Sequence, residues 1–249
     1  MEDIWIPKID DINFRIIKLI SNTSLYGVIF KVSIYGKLAT LKVDMRDKKD
    51  IVGNKEINNE SSILELVSIS EPKLTTQFYD FQMLNDYGIK VLYDKMNVIP
   101  NWRGMRSNNP DYETVVRDYN VYILLMEYLP LPWIQLNVIT EELLENSDTS
   151  TANRKLKIIY ESIRNNINKL HNLHFVHCDL HSGNIMININ NIRENKIIDF
   201  GRSFADDSDD MWNKEFGNNP KSNIKCNDSV SKFINELCGP GGNIKCSSE

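Results

Sequence analysis

One segment constrains this chain more than any other: "HFVHCDLHSGNIM", residues 174–186, with "KIIDFGRS" following from Lys196. It holds three of the four histidines together with Asp179 and Asn184. Upstream, Leu156, Ile159, Ile163, Ile167 and Leu170 recur on one helical face, so a long helix is expected from about Asn153 to His171. Downstream, "IMINI" and "KIIDF" read as two short strands joined by the Asn-rich turn "NNIREN". Helix, loop and hairpin in that order leave Asp179 and Asn184 on the loop and return Asp199 beside them. Three oxygen-bearing side chains in one place suit a hard cation such as Mg²⁺, and a nucleophile that must lose a proton.

The rest of the chain reads as α+β. "LYGVIFKVSI" and "YGKLATLKVDM" meet at a Gly-containing turn and form an expected hairpin. A helix fits from about Lys55 to Ser68, with Ile57, Ile63, Leu64 and Val67 at helical spacing. From Glu71 to Asn120 the pattern is broken, and residues 97–113 read as a loop insertion rich in Asn, Pro and Gly. "NVYILLMEYLP" is a buried strand that stops at Pro130. Leu129 to Asn153 reads as a short, partly polar connection, and the tail from about residue 240 as disordered. This places an N-terminal lobe over residues 1–128 and a shortened, mainly helical C-terminal lobe over residues 129–249. A net charge of -5 argues against nucleic acid or a membrane surface as partner. The acidic start "MEDIWIPKID" does not resemble a secretory leader, which points to a cytoplasmic protein with its four cysteines as free thiols.

The pattern His-x-Asp-x4-Asn followed by Asp-Phe-Gly resembles the catalytic core of the protein-kinase-like family. The resemblance covers roughly residues 15 to 205 and implies a two-lobed kinase fold that uses ATP and Mg²⁺. It implies that Asp179 accepts or orients the hydroxyl proton of the acceptor, and that Asn184 and Asp199 hold the metal. "ATLKV" presents Lys42 where the family anchors the α- and β-phosphates, and Glu60 is its implied partner, with Glu56 as the alternative. "LLMEYLP" is similar to the strand that leads to the adenine site, with Met126 as gatekeeper and the Glu127 and Leu129 backbones toward the base.

Several departures bear on what such an enzyme would phosphorylate. The segment "NTSLYG" keeps only Gly27 of the glycine-rich loop, with Asn22 and Ser24 in place of the other two glycines. Cys178 stands where the family carries the arginine that reads an activation-loop phosphate. His181 stands where many serine/threonine kinases carry lysine, and in that respect "HCDLHSGN" looks like aminoglycoside and choline phosphotransferases. No Ala-Pro-Glu motif appears. The leading expectation is a serine/threonine protein kinase whose substrates carry basic residues, opposite the acidic run from Asp206 to Asp210. A small-molecule kinase and a pseudokinase that only binds a partner are the alternatives. The four histidines within residues 171–181 also invite a zinc reading, but three of them have kinase counterparts.

Overall fold

The computed structural model describes residues 14–22, 27–101 and 111–207. These form an α+β kinase-like fold, grouped into two compact units. The first unit comprises residues up to Ser61 together with Gln77–Tyr128, and the second comprises Ser62–Thr76 and the chain from Leu129.

The first unit is built on a five-stranded sheet of order β1-β2-β3-β5-β4. Its strands are β1 (Phe14–Ser21), β2 (Gly27–Ile34), β3 (Lys37–Asp47), β4 (Phe78–Met83) and β5 (Tyr119–Glu127). The expected hairpin is β2–β3, closed by Tyr35 and Gly36, whose φ values of 48° and 81° suit a two-residue turn of this hand. Phe30, Val32, Ala39, Leu41 and Val43 are buried, and they pack with Val121, Ile123 and Leu125 of β5. The helix α1 (Ile51–Ser70) begins earlier than its apolar spacing suggested.

Three elements emerge where the sequence reads as broken, β4 and two helices. Helix α2 (Asp86–Asn97) starts at Asn85, whose side chain accepts from the Gly88 N–H, and it buries Ile89, Leu92, Tyr93 and Met96 against the sheet core. Helix α3 (Tyr112–Asp118) is capped in the same way by Asp111. The expected loop at 97–113 is therefore shorter on both flanks, and residues 102–110 lie outside the described residues.

Phe30 lies fully buried at the centre of this core. Its replacement by Ala should cost about 3–5 kcal/mol. Leu38 of the same hairpin is 44% exposed, and its replacement should change stability by less than about 0.5 kcal/mol. Urea midpoints of the two variants check the contrast, and equal midpoints would contradict the assignment of the core.

The second unit carries α4 (Leu136–Asn146), α5 (Thr149–Asn172) and a three-stranded sheet β6-β8-β9. Its strands are β6 (Trp133–Gln135), β8 (Ile185–Asn188) and β9 (Asn195–Ile197), and a shorter pair joins β7 (Phe175–Val176) to β10 (Phe204–Ala205). Asp148 starts α5 by accepting the Thr151 N–H, which holds its carboxyl below the usual carboxylate range. Leu156, Ile159, Ile163, Ile167 and Leu170 are buried along one face of that helix, which packs against β7, β9 and α4.

The connection from Leu129 to Asn153 is not the short polar link expected. Leu136, Ile139, Thr140 and Leu143 recur at helical spacing and are buried, so the segment folds as α4. Residues 71–76, which precede Tyr128 in sequence, bond within the second unit. The Ile197 N–H donates to the Leu74 carbonyl (2.8 Å), the Thr75 hydroxyl to the Ile197 carbonyl (2.7 Å), and Lys196 Nζ to the Thr75 carbonyl (2.7 Å). At the other end of the hairpin, Asn188 and Asn191 each donate a side-chain amide to Glu194 (2.8 and 2.9 Å).

No helix among the described residues is long and apolar enough to cross a membrane. The expectation of free thiols fails at Cys178, which is buried and disulfide-bonded. Inference from compartment to thiol state does not hold at this position. Cys226, Cys238 and Cys246 lie outside the described residues, as do Ser24, Ser208 to Asp210 and the tail. Asp206, read from sequence as part of an acidic run that faces basic substrate residues, is only 7% exposed, and its N–H donates to the His174 carbonyl.

Candidate active site

In the first unit the site residues gather on β3 and α1. Strand β3 is central and covered on both faces: Ala39, Leu41 and Val43 fill one, and Lys42, Asp44 and Arg46 the other. Lys42 Nζ donates to Glu60 Oε1 at 2.6 Å, with both side chains buried. Glu56, the alternative partner, instead meets Arg46 Nη1 at 3.4 Å. Glu60 lies on the inward face of α1 with Ile57 and Leu64, whereas the Glu56 side chain is 46% exposed. A buried amine and carboxylate tolerate each other only when paired.

Gly27 stands opposite Asp44 in the β2–β3 register. A Cβ there would come within 3.3 Å of the Val43 carbonyl, a tight approach to backbone, and would meet Lys42 Cε at an ordinary contact distance of 3.5 Å. Met126 and Glu127 end β5, paired with Thr40 and Ala39. The Glu127 N–H donates to the Gln77 carbonyl (2.8 Å), and its carboxylate accepts from the Gln77 N–H (3.1 Å). The N–H of this residue is therefore committed within the sheet. Burial, and after it the Glu127 charge, raise the Tyr79 hydroxyl above the usual tyrosine range. Leu129 opens the second unit, half-buried.

In the second unit the loop between β7 and β8 is held by its own polar groups. His177 is fully buried: its Nδ1 accepts the Asp179 N–H (3.3 Å), which leaves Nε2 to donate to the Ile198 carbonyl (3.0 Å). Asn184 Nδ2 donates to the Asp179 carbonyl (3.0 Å), and the Ile198 N–H donates to the Asn184 carbonyl (2.9 Å). Asp179 and Asn184 are thus joined directly, and both are tied to Ile198, the residue preceding Asp199, the first through His177 and the second by its own carbonyl.

Backbone strain concentrates in the same place. Of the five non-glycine residues with left-handed φ among the described residues, His174 (62°), Cys178 (56°) and Asp199 (65°) lie between residues 174 and 199. Such conformations persist only where surrounding bonds over-determine them, and they cluster at functional sites.

The donor set fits a hard divalent cation. With Asn184 Nδ2 committed to the Asp179 carbonyl, the amide Oδ1 is the oxygen that Asn184 would offer a metal, and Asp199, one residue beyond Ile198, would offer a carboxylate. Two protein oxygens are what Mg²⁺ takes when phosphates and water complete its shell. No group of three or more His, Cys, Asp or Glu side chains among the described residues is placed to hold a metal without such help.

Arg202, Gln135 and the pair Asp44–Arg46 escape a reading by motif, and His181 has a structural task that the motif does not show. Arg202 Nη1 sits 3.7 Å from Asp179 Oδ1, an exposed partner for the proton-accepting candidate. His181 caps the single 3-10 turn Ser182–Asn184 by accepting the Gly183 N–H (3.0 Å), and Gln135 Nε2 donates to the Gly183 carbonyl (2.9 Å). The pair Asp44–Arg46 lies beside Lys42, and its signal was present as charged residues at alternate positions of an otherwise apolar strand.

A search of the curated proteins found no match. The family model of the protein kinase domain matches residues 107–218, from before β5 through the Asp-Phe-Gly segment. The α+β fold and the catalytic-loop pattern accord with that match, which spans somewhat less than half of the chain and supports a protein-kinase-like family member.

Proposed function

We propose that this chain is a Mg-ATP-dependent phosphotransferase that acts on serine or threonine hydroxyls of another protein. The observation that carries the reading is the buried Lys42–Glu60 pair, 2.6 Å long, in a strand where apolar residues would stabilise as well or better. Bound Mg-ATP supplies the phosphoryl group and much of the charge that neutralises it in flight. Lys42 anchors the α- and β-phosphates, and Glu60 fixes the lysine rotamer. Asn184 and Asp199 hold the metal, and Asp179 takes the hydroxyl proton as the acceptor oxygen attacks. Positioning and charge account for most of the rate in this chemistry.

The match to a protein kinase domain supports a protein acceptor. A small-molecule acceptor is the second reading, favoured by His181, whose ring caps the turn carrying Asn184. Helix α4 also gives the segment after Leu129 ordered chain of the kind that walls an enclosed acceptor pocket.

The deciding experiment follows γ-phosphate from radiolabelled ATP with Mg²⁺. Basic proteins, aminoglycosides and choline are offered separately, with mass spectrometry of the products. Label on protein Ser or Thr is expected. Label on the small molecules alone would establish the second reading, and no transfer with retained nucleotide binding would establish a pseudokinase.

A further inference from the structure

Strand β3 presents Lys42, Asp44 and Arg46 at alternate positions, and alternation puts all three on one face of the sheet. All are buried, at 9%, 2% and 8% exposure. Helix α1 answers with Glu56 and Glu60, one turn apart on one helical face. Lys42 takes Glu60, and Arg46 takes Glu56.

These two rungs do not match in length. Four residues of strand cover about 13 Å, whereas four residues of helix cover only about 6 Å. Arg46 closes the difference by leaning back along its own strand, with Nε 2.7 Å from Asp44 Oδ1 and Nη1 3.4 Å from Glu56 Oε2. Gly53 in the first turn of α1 leaves room for the guanidinium, since a Cβ there would come within 2.8 Å of Arg46 Nη1.

We infer that Asp44, Arg46 and Glu56 form a second tie between β3 and α1, and that Arg46 is a positioning residue which sets Glu60 against Lys42. The inference rests on the proposed role of Lys42 and Glu60 only where turnover is concerned. The geometry of the tie stands apart from it. A single ion pair leaves a helix free to roll about its axis, whereas two pairs on one face, a turn apart, fix the roll. With the Arg46 contact gone, the roll that aims Glu60 at Lys42 is held from the first turns of α1 only through Asn54, whose side chain accepts from Tyr122 and Asn120 two residues short of Glu56.

The test uses the full chain and reads Lys42 directly. Reductive methylation followed by mass spectrometry compares Lys42 with the exposed Lys37 of the same strand in Glu56→Gln, Arg46→Gln and Arg46→Lys. Labelling of Lys42 should rise about threefold in Glu56→Gln and about tenfold in Arg46→Gln, as expected for coupled members of one network, with Arg46→Lys between wild type and Arg46→Gln. Lys37 should label at the wild-type rate throughout. In the transfer assay, kcat should fall in the same order with a smaller change in KM for ATP.

Arg46→Gln takes the guanidinium away from the buried Asp44 and is the variant at risk of misfolding. Glu56→Gln then decides alone, because that side chain is half exposed and Asn54 separately holds the first turn by accepting from Tyr122 and Asn120. Unchanged Lys42 labelling in Glu56→Gln, or a rise matched by Lys37, would overturn the inference. A wild-type chain that transfers no phosphate would instead sink the proposed function and leave the labelling result to stand on its own.

Discussion

An Asp179→Ala enzyme should turn over about 10²-fold or more slowly while binding Mg-ATP nearly as well as wild type, because general-base terms are of that order. Three bonds hold the Asp179 backbone without help from its carboxylate: the N–H to His177, the carbonyl from Asn184, and through Asn184 the Ile198 N–H. Truncation should therefore leave the loop in place and remove only the proton acceptor. The Arg202 side chain that faces the carboxylate is 60% exposed and 3.7 Å away, so the loss of that contact is a weak, screened event. Single-turnover kinetics with saturating nucleotide measure the effect. Transfer at the wild-type rate by the variant would take the role from Asp179.

Asp199→Asn carries the second large effect. The φ of 65° at this residue is one that asparagine tolerates about as well as aspartate, so the backbone should hold and only the charge should go. A ligand at a hundredfold excess over Kd stabilises by about 2.7 kcal/mol, an upshift of about 5–10 °C for a chain of this size. Wild type should show that upshift with Mg-ATP, and the variant should lose it. An undiminished upshift in the variant would remove Asp199 from the metal site. Its absence from wild type at millimolar Mg-ATP would give the lead to the partner-binding alternative.

Much of the fold was legible because several elements carry one clear period. The β2–β3 hairpin alternates around a Gly-containing turn, and α5 repeats apolar residues every three or four positions over its whole length. The elements that escaped are those whose period is masked. Helix α2 has buried Ile89, Leu92, Tyr93 and Met96 at helical spacing, but Gly88 in its first turn and Asn85 before it read as a break. Asn85 is in fact the cap. Strand β4 is half-buried along nearly its whole length and alternates nowhere. Helix α4 follows two prolines, which drew attention to the stop at Pro130 and away from Leu136, Ile139 and Leu143.

The candidate site divides along the same line. Asp179, Asn184 and Asp199 are legible because their order along helix, loop and hairpin limits where they can go. The Lys42–Glu60 pair needed only a choice between two helix positions one turn apart, and the apolar face of α1 makes it. Arg46 was not legible, since its position depends on Gly53 in α1 and a carboxylate two residues before it.

The hairpin that carries Asp199 also divides the chain by how freely its length could drift. Residues 190 to 193 form a tip braced by Glu194 and the asparagines around it, and added residues there would swell a surface turn. One residue added between Lys196 and Asp199 would turn each later side chain to the opposite face and draw Ile197 off Leu74 and Thr75 at once. Descendants of this sequence are therefore expected to vary in loop length before Glu194 and to keep an unbroken count from Asn195 to Phe200.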